Sequence, residues 1–416
     1  MIGKSRRWTT RFALAASLAL LAPMVLASSG SGFGACNVVG TKTDYVNSVA
    51  VGDFDRDGDL DIVSGDEDYD VIVWRNDGTP FAGGWDSQVV GTLNDYISSV
   101  AVGDFDRDGN LDVVSGDEDE SKVIIWRNDG TPFNGTWASQ VVGDKGDYIG
   151  SVAVADFDGD DWLDIVSGDH EKDVMVWEND GDPFGDTWDS QLVGQAKFKV
   201  RSVAVGDFDG NGDLDVVSGD SGPDLYVWEN DGSPFSGNWT GNEVGSTSFD
   251  MGSVAVGDFD GDGKLDIVSG DYNAEVLVWK NDGSPFDGYW AWWVAGGIGD
   301  YVYTVAVGDM DCDGTPDIVS GDDNGDVIVW LNDGTPFEAD WANTVVSSND
   351  GVLSVALGDL DGNYSLDIVS GDDNDTVRAC ENLAEGCGPA TGGISVQSRR
   401  FELVAAWLKA VLSLLR

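Results

Sequence analysis

The stretch Asp53-Phe54-Asp55-Arg56-Asp57-Gly58-Asp59-Leu60-Asp61 carries carboxylates at positions 1, 3, 5 and 9. Four acids aimed at one small volume repel one another unless a hard cation, which takes about 6–8 oxygen ligands, sits among them. The side chains of positions 1, 3, 5 and 9, with the backbone carbonyl of position 7, make such a ligand set. Glycine at position 6 supplies a turn of positive φ, and the apolar residue at position 8 points the other way, into a core.

The stretch recurs from Asp104, Asp156, Asp207, Asp258, Asp309 and Asp359, at spacings of 51, 52, 51, 51, 51 and 50 residues. The expected ligands are Asp53, Asp55, Asp57, Asp59 and Asp61 in the first copy and Asp104, Asp106, Asp108, Asn110 and Asp112 in the second. Asp156, Asp158, Asp160, Trp162 and Asp164 follow, then Asp207, Asp209, Asn211, Asp213 and Asp215, then Asp258, Asp260, Asp262, Lys264 and Asp266. The last two sets are Asp309, Asp311, Asp313, Thr315 and Asp317, and Asp359, Asp361, Asn363, Ser365 and Asp367. Asp161 and Tyr364 replace glycine at position 6 in the third and seventh copies, and Asn211 and Asn363 each remove a carboxylate, so affinities should be unequal and the seventh lowest. An EF-hand would place these loops between helices. Here Val49-Ala50-Val51 precedes the loop and Ile62-Val63 follows it, so the loops join strands.

Each repeat contains four short runs rich in Val and Ile, bounded by Gly, Asp, Asn and Pro, as hairpin-linked antiparallel strands require. A four-stranded unit of about 50 residues is the size of one propeller blade. The repeats resemble the FG-GAP/VCBS family, as in the integrin α-subunit propeller, whose blades carry a DxDxDGxxD calcium loop between their first two strands. That resemblance covers roughly residues 36–388. It implies an all-β, seven-bladed β-propeller of four-stranded antiparallel blades binding up to seven Ca2+, in a family that ranges over adhesion proteins, lectins and enzyme appendages.

The last repeat stops after Val377-Arg378-Ala379-Cys380, and Cys36-Asn37-Val38-Val39-Gly40 aligns with Ser87-Gln88-Val89-Val90-Gly91, so the N-terminal strand should close the ring. Closure removes sheet edges that would otherwise aggregate. Cys36 and Cys380 then fall on adjacent strands and are the expected disulfide. Cys387 is the rival partner for Cys36, and Cys312 is expected free. Tryptophans 11 residues apart recur in six repeats, from Trp74 and Trp85 to Trp330 and Trp341. They read as wedge fillers between blades rather than a sugar-stacking ring, and the Asn-Asp-Gly-Thr/Ser-Pro-Phe loops and Ser-Gly-Asp triplets read as turn chemistry.

Residues 1–27, with Lys4, Arg6, Arg7 and Arg11 before an apolar run, read as a signal peptide, with a faint twin-arginine character at Ser5-Arg6-Arg7. A linker (28–35) leads to the propeller (36–388), and a Gly-rich spacer (389–398) leads to a C-terminal amphipathic helix (399–416) with a stripe of Phe401, Val404, Leu408, Val411 and Leu415. That helix is too short to span a bilayer and suits peripheral membrane or partner contact. Export makes disulfides reasonable and places the protein outside the cell or on its surface.

Residues 28–398 carry 14 Lys+Arg against 75 Asp+Glu, a net charge of −61. Such a field excludes nucleic acid and anionic membranes as partners for the body, and suits either a high-salt habitat or plain acidic solubility. His170 is the sole histidine, and no nucleophile motif, zinc cluster or phosphate loop is present. The expected function is therefore a monomeric glycan- or protein-binding adhesion module and not an enzyme; a structural surface component and, less so, a polysaccharide lyase or hydrolase are the alternatives. Ligand should bind opposite the cages, where the loops vary. Lys197, Phe198, Lys199 and Arg201 gather three of the body's 14 basic residues, and would recognise an acidic glycan or acidic protein side chain unless they merely relieve local charge.

Overall fold

Asp61–Asp66, the second strand of the first repeat, is buried from end to end, whereas Asp86–Thr92, the fourth, buries little. That gradient is what a radial sheet requires, with inner strands packed on both faces and an outer strand facing solvent. In a computed structural model, described for residues 32–387 apart from 119–120, 145–146, 186, 298, 339–340, 349 and 385–386, the chain forms 28 strands. The signal segment, half of the linker, the spacer and the C-terminal helix expected from sequence lie outside the described residues.

The strands form seven four-stranded antiparallel sheets. Blade 1 is β2 (Val46–Gly52), β3 (Asp61–Asp66), β4 (Asp70–Arg75) and β5 (Asp86–Thr92), and blades 2–6 use β6–β25 in the same order. Blade 7 is β26 (Val352–Gly358), β27 (Asp367–Asp372), β28 (Thr376–Asn382) and, as expected, the N-terminal β1 (Phe33–Thr41). β1 starts three residues earlier than Cys36, the first residue of the expected closing strand.

Cys36 lies opposite Cys380 in the β1–β28 ladder and is disulfide-bonded to it. Cys312, expected free, is instead bonded to Cys387. The reason is local. Asn382 donates its Nδ2 to the Met310 carbonyl at 2.8 Å, which brings the chain after β28 beside the sixth cage, and Cys312 adopts φ 63° there.

Serine and tryptophan side chains help join blade to blade. Ser48 Oγ accepts the Val100 N–H at 3.0 Å, and equivalent bonds run round the inner strands to Ser354 and Val49. The first tryptophan of each pair donates its indole N–H to the serine of Ser-Gly-Asp, as Trp74 does to Ser64 at 2.9 Å, and packs in the wedge between blades. A Cβ added to Gly91 would lie 2.0 Å from Trp126 of the next blade. Where the next blade carries Cys380 in place of tryptophan, the corresponding residue is Ser347. The second tryptophan caps the proline carbonyl of its own loop, as Trp188 does Pro183 at 3.1 Å, and meets the previous cage's phenylalanine edge-on, 6.2 Å away for Phe105.

Candidate functional site

Each cage lies between the first two strands of its blade, and its backbone is shaped by its own acids. The position-1 aspartate accepts the position-6 N–H through Oδ2: Asp53 from Gly58 at 3.1 Å, Asp104 from Gly109 at 2.9 Å, Asp359 from Tyr364 at 2.9 Å. Position 6 has positive φ throughout, including Asp161 at 75° and Tyr364 at 74°. Position 4 does too, at Arg56 (61°), Arg107 (56°) and Cys312 (63°), which the sequence reading missed because only four of the seven copies place glycine there.

Position 9 is the buried keystone. Asp61 accepts the Phe54 N–H at 3.1 Å on one oxygen and the Asn76 N–H at 2.8 Å on the other. Burial pushes these carboxyls up, Asp61, Asp215, Asp266, Asp317 and Asp367 to about 7 and Asp112 and Asp164 to about 8, against the restraint of the backbone donors. Carboxylate oxygens gather within 4.8 Å at Asp53/Asp55/Asp57, Asp104/Asp106/Asp108, Asp156/Asp158/Asp164, Asp207/Asp209/Asp215 and Asp258/Asp260/Asp262. Oδ1 of Asp53, Asp55, Asp104 and Asp309 is buried without a hydrogen-bond partner. Asp104 itself is only 8 % exposed. Buried acceptors left unpaired are costly, and an all-oxygen set with inward lone pairs fits a hard divalent cation.

Position-7 side chains differ from copy to copy: Trp162 lies under Arg107 at 4.6 Å, whereas Lys264 pairs with Asp262 at 2.6 Å and Thr315 Oγ1 donates to Asp313 at 2.6 Å, each the position-5 acid of its own cage, so the shared ligand at position 7 is the expected backbone carbonyl. From the end of the third strand, cations reach three cages. Arg75 reaches Asp55 at 2.8 Å, Arg127 reaches Asp106 at 2.5 Å, and Lys280 contacts Asp260. The equivalent residues in blades 3, 4, 6 and 7 are Glu178, Glu229, Leu331 and Glu381.

On the opposite face, the basic connection before β14 (Val200–Gly206) divides among its neighbours. Lys197 pairs with Glu243 at 2.6 Å and Asp224 at 3.3 Å; Lys199 Nζ lies 3.4 Å from His170 Nδ1; Arg201 sits 4.5 Å over Tyr272 and 3.5 Å from Asp250. Phe198 is exposed and covers Gly222. Lys199 and Arg201 thus flank His170, which burial first and these charges second push down to about 4. Tyr148 stacks on His170 at 3.7 Å and donates its hydroxyl to Glu118, and Tyr272 stacks on Tyr301 at 4.9 Å. The lone histidine is thus part of an aromatic sector.

The model of the FG-GAP-like repeat matches residues 53–115, 107–167, 156–218, 214–269, 258–320 and 313–370, an unbroken run over most of the chain. The chain belongs to the FG-GAP-like repeat family. Each matched segment of this FG-GAP-like propeller reaches from one cage region into the second strand of the next blade, so the family unit straddles a blade boundary. Among solved structures, that of BBS1N in complex with ARL6DN, soaked with lead, is similar at a TM-score of 0.56 and 14 % identity, covering 87 % of this chain and 98 % of that one. At that identity the likeness concerns the fold alone. No curated protein sequence matches the chain.

Proposed function

We propose that this FG-GAP-like propeller is an exported module that binds Ca2+ in its cages and uses the rigid ring to present a glycan- or protein-binding face on the opposite side, for adhesion at or beyond the cell surface. The observation that carries the reading is the set of inward, buried, unpartnered cage oxygens at Asp53, Asp55, Asp104 and Asp309. A bound divalent ion satisfies these lone pairs and keeps the position-9 carboxylates ionised despite their burial. The chain's own part is to fix the cage backbone through the position-1 and position-9 aspartates, so that calcium stiffens loops already in place. Two disulfides suit an oxidising compartment.

Ligand recognition is assigned to the sector around Lys199, Arg201, His170, Tyr148 and Tyr272, with Phe198 and Lys197 at its margin. Variable loops on a rigid frame are suited to binding, and these cations offer an acidic glycan or acidic protein side chain a local exception to the body's charge. The test is a screen against acidic glycans and matrix proteins with and without calcium. Binding that needs calcium and disappears on changing Lys199 and Arg201 to Gln supports the reading; turnover of a polysaccharide, or binding indifferent to that change, refutes it.

A further inference from the structure

Blade 5 departs from its siblings at its outer edge. Tyr289 stands where the other loops have Gly84, Thr136, Thr187, Asn238 and Asp340, and Trp292 stands where the other outer strands have Cys36, Ser87, Ser139, Ser190, Gly241 and Asn343. Tyr289 is 75 % exposed and Trp292 44 %. Trp292, on β21 (Ala291–Gly297), lies opposite the buried Trp279 of β20 (Glu275–Lys280), with ring centroids 5.9 Å apart, so its ring is backed.

Blade 4 departs at the same place. Glu243, on β17 (Thr240–Ser246), occupies a position that is Val38, Val89, Val141, Leu192, Val294 or Val345 elsewhere. The two departures meet: the Tyr289 hydroxyl donates to Glu243 Oε1 at 3.3 Å, and Lys197 donates to Glu243 Oε2 at 2.6 Å. Asn242 Nδ2 donates to the Gly288 carbonyl at 2.9 Å, fixing a turn in which Gly288 holds φ 123° just before Tyr289.

The fold does not require these aromatics, since five other blades have small or polar residues in place of Tyr289 and all six others have them in place of Trp292. Ring faces beside a carboxylate, an ammonium and a phenol match the two surfaces of a pyranose: its C–H face packs on the rings and its hydroxyls exchange hydrogen bonds with the polar groups. A net body charge of −61 repels an anionic chain at this edge but not a neutral one. An apolar peptide would bury the Glu243–Lys197 pair without offering it any further hydrogen bond.

We propose that the outer edge of blade 5, with Glu243 and Lys197 from blade 4 and the connection leading into it, binds a neutral polysaccharide, with Tyr289 and Trp292 stacking on its sugar rings. The site shares only Lys197 with the margin of the His170 sector and does not depend on that sector's assignment.

Calorimetry on the intact, calcium-loaded protein with cellohexaose, mannohexaose, xylohexaose and chitohexaose, and with polygalacturonate as the anionic arm, tests this. At least one neutral hexasaccharide should bind. The pair Tyr289→Thr and Trp292→Ser, which restores residues found in other blades, should weaken it at least tenfold with Tm unchanged, and Glu243→Val should weaken it as well. Changing Lys199 and Arg201 to Gln should leave this binding untouched, which separates it from the opposite-face reading. The proposal is overturned if no neutral hexasaccharide binds or if binding survives the double change. It is equally overturned if polygalacturonate alone binds here, or if the double change instead abolishes self-association seen by sedimentation.

Discussion

Asn128 donates from Nδ2 to the carbonyl oxygen of Phe54 in the preceding blade at 2.9 Å and to that of Leu111 in its own at 3.1 Å. Phe54 is position 2 of the first cage, and the Asn128 backbone N–H binds Asp112, position 9 of the second, at 2.8 Å. One side chain therefore couples two cages across a blade seam. The same amide recurs as Asn76 to Leu360, Asn179 to Phe105, Asn230 to Phe157, Asn281 to Phe208, Asn332 to Phe259 and Asn382 to Met310, which completes the circle.

Replacing Asn128 with Ala strands two buried carbonyls and should cost about 2–3 kcal/mol, read as a lower urea midpoint at constant slope. Because the amide touches the cages of blades 1 and 2, calcium titration should weaken there and hold in blades 4 and 5. Uniform weakening in all blades would sink the coupling.

The cages and the ring were legible because a period near 51 residues repeats the same acids and strand runs, and because the N-terminal strand matched the one missing from the last repeat. The Asn latch was not, because its partner lies 74 residues upstream in another repeat and nothing local distinguishes it from a turn residue. Cys312 was misread for a related reason: Cys387 takes the place of the Phe in the other Asn-Asp-Gly loops, so it reaches the cage of the blade before its own. Lys197, Lys199 and Arg201 are close in sequence, yet Lys197 leaves the chain ahead of the strand toward Glu243, whereas Lys199 and Arg201, two apart, flank His170.

Opening the Cys36–Cys380 bridge frees a loop of 344 residues and should cost about 5 kcal/mol in the chain-entropy model. The Cys312–Cys387 bridge, spanning 75 residues, should cost less globally but loosen the sixth cage, since Cys312 sits between Asp311 and Asp313, two of its expected ligands. Serine variants of each pair, melted with calcium and with chelator, should both show a large calcium-independent loss, somewhat smaller for the second, and only the second should lose further stability that calcium had supplied. Equal sensitivity of the two variants to chelator would contradict the distinction.

His170 gives a pH prediction with a clean probe, because the chain holds no other histidine. Its folded value is lowered to about 4, while an unfolded histidine titrates near 6.5. Between those values the unfolded chain binds more protons, so the stability this group contributes is present above about 6.5 and is lost as pH falls toward 4. The difference in stability between the native protein and His170→Gln should vary across that window and be flat above it. An imidazole resonance titrating at 6.5 or higher in the folded protein would rule this out.

Calcium affinity should follow the charge beside each cage. Lys280 contacts Asp260 in blade 5, where Glu178 holds the equivalent place in blade 3. A cation there neutralises one ligand and repels the incoming ion; opposite charges a few ångströms apart interact by roughly 4 kcal/mol at an effective dielectric of 20, less where solvent screens them. Lys280→Glu should therefore raise the affinity of the fifth cage about tenfold or more, and Glu178→Lys should lower that of the third to match. Cage 7 should remain the weakest, since Asn363 lacks a charge and Tyr364 must hold φ 74°. Chelation should lower Tm by mass action, as a site filled at a hundred times its Kd contributes about 2.7 kcal/mol. Stepwise calcium titration of both charge variants checks the ranking, and a Tm indifferent to chelator would remove calcium from the account of all seven cages.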